Sequence, residues 1–154
     1  MFQKKIIFLL LILLSSCGYE AIHSKKNSIN NSFSVSELTF IGDRTVNLKI
    51  KEKLSTFTQN KKDKDFIIRI SSTSKKIILA KNTAGDATSF KNTISINVDV
   101  LMNNKFKSNF IILESFNYNN ISNKFNLKKY EEEIKSNLAE TASDKLVFKL
   151  SNIQ

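Results

Sequence analysis

The sequence predicts an α+β domain over residues 33–154, with two helices packed on one face of a four-stranded, mostly antiparallel sheet in the order β-α-β-β-β-α. Three observations carry this. From Phe90 to Met102, residues Phe90, Ile94, Ile96, Val98, Val100 and Met102 keep period two against Lys91, Thr93, Ser95, Asn97 and Asp99, which is the pattern of a half-buried strand. From Leu127 to Leu150, residues Leu127, Tyr130, Ile134, Leu138, Ala142, Leu146 and Leu150 form a single stripe at helical spacing. A second, shorter stripe lies nearer the start of the chain, and two helices with one apolar face each most simply cover one side of a sheet.

The first strand is expected over Phe33–Ile41, where Phe33 and Val35 fall on one face but Leu38 and Phe40 on the other. A bulge near Glu37 reconciles the two sets. Gly42-Asp43 then breaks the strand. Val46, Ile50, Leu54 and Phe57 follow at helical spacing, with Lys49, Lys51, Glu52 and Lys53 between them and Asp43 as the N-cap. The charged run Asn60–Asp65 reads as a solvated loop. Next, Phe66, Ile68 and Ile70 alternate with Ile67, Arg69 and Ser71, and the apolar patch 77–80 extends this strand after a kink at residues 73–76.

The chain turns near residues 82–86 and enters the Phe90–Met102 strand. Asn103-Asn104 supplies the positive φ angles of a two-residue hairpin turn, because asparagine tolerates the left-handed region better than most residues. The fourth strand is expected to carry Phe106, Phe110 and Ile112 on one face and Ile111 and Leu113 on the other. The last helix is expected from about Leu127 to Leu150 with Asn126 as its cap. Glu131, Glu132 and Glu133 then sit near the positive end of the helix dipole, and Lys145 and Lys149 near the negative end.

Ahead of this domain, Lys4 and Lys5 precede an unbroken apolar run from Ile6 to Leu14, and Ser15 and Ser16 precede Cys17. That is the layout of a secretory signal peptide over residues 1–16. The run is nine residues long, against the roughly 20 that span a bilayer as a helix. Leu14-Ser15-Ser16-Cys17 looks like a bacterial lipobox, in which the thiol takes up a diacylglycerol and the cysteine becomes the first residue. Several acyl chains make a lasting anchor where one gives only marginal binding. The other reading of a lone cysteine is a free thiol or half of an intermolecular disulfide. Residues 17–32, polar and without an apolar period, read as a lipidated tether. Gly18 stands where an aspartate favours retention at the inner membrane in the well-studied sorting system, so the expected location is the outer membrane, on its periplasmic side.

The 154 residues carry a formal charge of +10; residues 1–16 hold two lysines and no acid, so the remaining 138 residues carry +8. That length fits one domain with one core. The charge suits an anionic partner, and the abundance of Lys, Asn, Ile and Phe without Pro or Trp equally suits an A/T-rich coding bias. No nucleic-acid motif accompanies the charge. The one histidine, His23, lies in the tether and the one cysteine is assigned to lipid, which removes the usual catalytic pairs. No His/Cys cluster has metal-ligand spacing and no Gly-rich loop offers a phosphate cradle. Glu131–Glu133 are adjacent on a helix and point in different directions. The expectation is a protein without catalytic residues, cofactor or metal.

A lipobox cysteine followed by this order of elements resembles the lipopolysaccharide-assembly lipoprotein family, LptE. The likeness runs through most of the chain after the anchor. Family members often read Cys-Gly-Phe-x-Pro-Leu-Tyr at their start, and this chain reads Cys17-Gly18-Tyr19-Glu20-Ala21-Ile22-His23, with Ala21 and His23 departing from the pattern. The resemblance implies a plug inside a large outer-membrane β-barrel that helps that barrel assemble and helps pass lipopolysaccharide to the outer leaflet. It also implies basic residues near strand ends in contact with lipopolysaccharide phosphates; the nearest equivalents here are Lys75 and Lys76, then Lys81 and Arg69. Each is equally readable as a solvated surface cation. Two other functions fit the same features: a stand-alone periplasmic ligand-binding lipoprotein, and an auxiliary lipoprotein of another envelope transport system.

Overall fold

The computed structural model describes residues 33–153. The signal peptide expected over 1–16, Cys17 and the tether to residue 32 lie outside the described residues. The elements run β1 (Ser34–Gly42), α1 (Arg44–Leu54), a 3₁₀ turn (Ser55–Phe57), β2 (Asp65–Lys81), β3 (Ala87–Met102), β4 (Lys105–Asn119) and α2 (Lys124–Ser151). The four strands form one sheet in the order β1-β2-β3-β4.

In β1, the register against β2 shifts between Val35 and Glu37. The extra residue brings Leu38 and Phe40 to the same face as Phe33 and Val35, where all four pack in the core. Phe33 stacks on Phe57 with ring centroids 4.5 Å apart and the planes nearly parallel. Gly42 ends the strand at φ +101°, and a Cβ there would lie 1.9 Å from the Ser72 carbonyl oxygen, so only glycine fits. The Asp43 N–H donates to that same oxygen at 3.1 Å. Asp43 caps α1 as its sequence position predicts, its carboxylate accepting from the Val46 N–H at 3.1 Å.

β1 and β2 run parallel, while β2, β3 and β4 are antiparallel neighbours. A parallel pair needs a crossover of a dozen or more residues, and α1 with the loop to Lys64 supplies it. The sheet is therefore mixed.

β2 has no kink at residues 73–76. It stays in register with β3 from Phe66 to Ile78, and the irregularities come later, at Ile78–Lys81. Polar Thr73, Ser74, Lys75 and Lys76 are tolerated because the ladder holds the backbone regardless of side chain, and this half of the hairpin projects past the end of β1. The Asn103-Asn104 turn forms as expected, with φ of 54° and 58°. Just after it, a register shift pairs Leu101 with Phe106 but Val100 with Ser108. That shift moves Phe106 off the face of Phe110 and Ile112 and onto the face of Ile111 and Leu113. Phe106 is 66% exposed, Ile111 62% and Leu113 65%.

α2 begins earlier than its apolar stripe. Asn123, not Asn126, is the cap, and its side chain accepts from the N–H groups of Phe125 and Asn126. The first turn buries nothing, with Phe125 76% exposed, so the apolar period starts one turn late. Glu131–Glu133 consequently lie beyond the first turn, which holds no acid. Ile134, Leu138, Ala142, Leu146 and Leu150 are buried, joined by Ala139, Ser143 and Val147.

Both helices cover the face of Phe66, Ile68, Ile70, Ile94, Ile96, Val98 and Val100, all buried in one continuous cluster. Among the described residues no helix lies on the opposite face. Lysines tie α2 to its neighbours: Lys135 pairs with Asp43, Lys53 with Asp144, Lys145 with Glu114 and Lys76 with Glu131. Among the described residues every fully buried side-chain polar atom has a hydrogen-bond partner.

Candidate functional site

The four cations singled out in the sequence divide between two faces. Alternation along β2 sends Arg69 and Lys75 to the helix-free face and Lys76 to the helix-covered face. Lys76 pairs with Glu131 of α2, and its ammonium lies 3.9 Å from the Phe90 ring centroid. Tyr118 donates its hydroxyl proton to the same Glu131 carboxylate at 3.0 Å. Burial, followed by the hydrogen bond to Glu131 and its negative charge, pushes the Tyr118 hydroxyl well above the ordinary tyrosine range. Phe90, Tyr118 and Tyr130 pack around this group, with centroid separations of 5.6 and 5.9 Å. Lys76, though partly exposed, is thus engaged by Glu131 and Phe90 and holds the projecting hairpin to α2.

Arg69 lies between Thr39 and Asp99 across the sheet. Beside it, the Asn109 side-chain amide donates to Asn97 at 2.9 Å and to Asp99 at 2.6 Å. Arg69, Asn97 and Asp99, with Thr39, Ile41 and Ser71, line a shallow hollow of about 160 Å³. The nearby Asp99 carboxylate makes this spot unsuited to an anion.

Lys75 is exposed opposite Thr93, and Lys91 sits opposite Ile77 on one side and Asn117 on the other. Lys75 and Lys91 are therefore diagonal neighbours on the helix-free face, with backbones roughly 7–8 Å apart. Around them the register places Thr73, Thr93, Ser95, Ser115 and Asn117, with Ile77 and Leu113 as the apolar members and no acid. Two cations without a carboxylate, set among hydroxyls, amides and exposed aliphatic groups, suit an anionic amphiphile. Lys81, at the end of β2 opposite Ala87, is exposed near the hairpin turn. Sequence reading missed Lys91. Its alternation with Ile94 and Ile96 already assigned it to the polar face, but its nearness to Lys75 follows only from the β2–β3 register.

Two hollows adjoin along the seam between β4 and α2, sharing Phe116 and Tyr130. One, of about 230 Å³, is lined by Phe116, Tyr130, Ile134 and Leu138 among others, and the second, of about 450 Å³, opens toward Leu79 and Asn119. The first is smaller than the roughly 300–1,000 Å³ of ordinary small-molecule sites. The second is an open depression at one end of β2, β3 and β4. Among the described residues no group of His, Cys, Asp and Glu is arranged to hold a metal ion, and no helix is long and apolar enough to cross a membrane.

No protein-family model matches the chain, and no curated protein matches it by sequence. Solved structures do match by fold. Rare lipoprotein B from Shewanella oneidensis is similar at TM-score 0.61 and 11% identity, over 75% of this chain and 93% of that one. Lipoprotein B from Nitrosomonas europaea is similar at TM-score 0.60 and 18% identity, over 77% and 83%. A minor lipoprotein from Acinetobacter baumannii is similar at TM-score 0.58 and 8% identity, over 77% and 92%. At these identities the likeness is one of fold.

Proposed function

We propose that this chain is an outer-membrane lipoprotein, anchored through Cys17 on the periplasmic side, that plugs and helps assemble a lipopolysaccharide-translocating β-barrel and assists delivery of lipopolysaccharide to the outer leaflet. The observation that carries the reading is the pairing of a lipobox cysteine with an α+β domain in which, among the described residues, no helix covers one face of the sheet. A free-standing binding protein encloses its ligand. Here, of the two hollows beside β4, one is small and the other is open, and the distinctive surface is a broad sheet face of serine, threonine and asparagine with aliphatic groups along β4. Such a surface suits packing inside a polar lumen. Similar folds in three bacterial proteins described as lipoproteins support the envelope setting.

In this reading the domain is a scaffold and not an enzyme. Lys75 and Lys91 offer lipid phosphates a two-point grip, with Lys81 near the hairpin tip as a further contact, while Lys76 ties the hairpin to Glu131 and Arg69 stands opposite Asp99. Lipopolysaccharide also presents acyl chains, and Ile77 and Leu113 lie beside the two cations.

The test is purification of the acylated protein from its own membranes in mild detergent, with identification of stoichiometric partners. One large outer-membrane β-barrel in equal amount supports the plug. Recovery with an inner-membrane transporter, or with no protein partner and a bound small ligand, overturns it in favour of an auxiliary subunit or a ligand carrier respectively.

A further inference from the structure

β1 leaves the sheet halfway along β2. Its last partner is Ser72, where Gly42 turns the chain away, and β2 continues to Lys81 with β3 on its other side. Among the described residues, no element other than β3 contributes a hydrogen bond to the main chain of residues 73–81. A row of backbone N–H and C=O groups therefore faces outward. Ladder bonds are lost when such a row lacks a partner, and edges of this kind are templates for another strand.

Natural edges are blunted by bulges and by charges set across the approach. β1 has its bulge at Ser36, and β4 has an irregularity beside Lys105 and Lys107. From Thr73 to Ile78, β2 has none, its irregularities being confined to the last residues, Ile78–Lys81. Lys76 does not guard the edge either, being folded onto Phe90 and Glu131. Next to it Ile77, Ile78 and Leu79 are 40, 49 and 46% exposed, on consecutive positions and hence on both faces.

We propose that the outer edge of β2 from Thr73 to Lys81 is a strand-addition site for an extended polypeptide segment that alternates acidic and apolar side chains. Main-chain hydrogen bonds supply affinity in this mode, and the flanking side chains supply selectivity. Residues 73–81 hold three lysines and no acid, so the complementary strand is acidic. A second copy of this chain is disfavoured by the same charges: antiparallel self-pairing centred on Ile78 sets Lys75 against Lys81, between two proteins that are each strongly basic. The open edge of β4 names no partner, since its regular stretch from Asn109 to Asn119 has Glu114 as its only charge. The site stands whether or not a β-barrel accompanies the protein.

Residue-resolved amide exchange on the full chain in mild-detergent micelles tests this with a blocked nonapeptide alternating glutamate and valine, and with its lysine–valine counterpart. At millimolar glutamate peptide, the outward amides of residues 73–81 are expected to slow by about tenfold or more, with no change from the lysine peptide. Lys75→Glu combined with Lys81→Glu reverses that preference. The proposal is overturned by equal effects of the two peptides, by protection at residues 105–119 instead, or by no protection at all. It is also overturned if the outward amides are protected before peptide is added, because the edge is then covered by residues 18–32 or by a second copy.

Discussion

Lys135 of α2 pairs with Asp43, the residue that caps α1, so one carboxylate serves both the start of one helix and the docking of the other. Partial burial works against the charge on Asp43. The hydrogen bond and charge of Lys135, with the N–H groups of Val46 and Thr45, outweigh it and hold the carboxyl below its ordinary value near 3.8. A lowered folded-state pKa contributes stability that is present above the unfolded pKa and lost as pH falls through the folded one. Asp43→Asn keeps a capping oxygen and removes the charge. Its stability deficit against the parent is expected at neutral pH, should begin to shrink as pH falls below about 4, the ordinary carboxylate range, and should disappear only below the lowered folded-state pKa. Urea unfolding at several pH values checks this; a deficit independent of pH would mean that the ion pair contributes nothing.

Gly42 and Gly85 both have positive φ, but only Gly42 is pressed against backbone. Gly42→Ala is expected to cost at least about 2 kcal/mol, and Gly85→Ala about 1 kcal/mol. Chemical denaturation of the two variants gives the comparison, and equal losses would show that the contact with Ser72 relaxes without penalty.

Ile111 and Ile112 are neighbours on opposite faces of β4. Ile112 is 3% exposed and Ile111 62%. Ile112→Ala should destabilise by about 2–5 kcal/mol through loss of core packing. Ile111→Ala should fall within about 0.5 kcal/mol of the parent. Loss of partner binding without loss of stability in Ile111→Ala would mark the helix-free face as an interface.

Lys75 and Lys76 are adjacent in the chain and differ in role. Charge reversal at Lys75 and Lys91 is expected to weaken lipopolysaccharide binding more than reversal at Lys61 and Lys62, read by surface plasmon resonance on immobilised lipid. Equal effects would reduce the attraction to net charge. Lys76→Ala should instead lower stability by about 1 kcal/mol, from its partly exposed ion pair and its contact with Phe90.

Cys17→Ser is expected to abolish fractionation with membranes. Retention of that variant in the membrane pellet would remove the lipid anchor from the account.

Local chemistry was legible because it acts over a few residues. The imperfect alternation of Phe33, Val35, Leu38 and Phe40 already required a bulge, Asp43 a cap, and Asn103-Asn104 a tight turn. The apolar stripe from Leu127 to Leu150 marked the buried side of the last helix but not its start, because the turn before Leu127 buries nothing and so leaves no period to read. The sequence by itself thus determined the kinds of elements, their order and which side of most of them is apolar. Only the tertiary structure decided that β1 runs parallel to β2 and quits it at Ser72, that a register shift turns Phe106 away from the core, and that Lys75 belongs with Lys91 while Lys76 belongs to Glu131. Those outcomes depend on register between strands far apart in the chain. A one-residue slip exchanges the two faces of a strand without altering its periodicity.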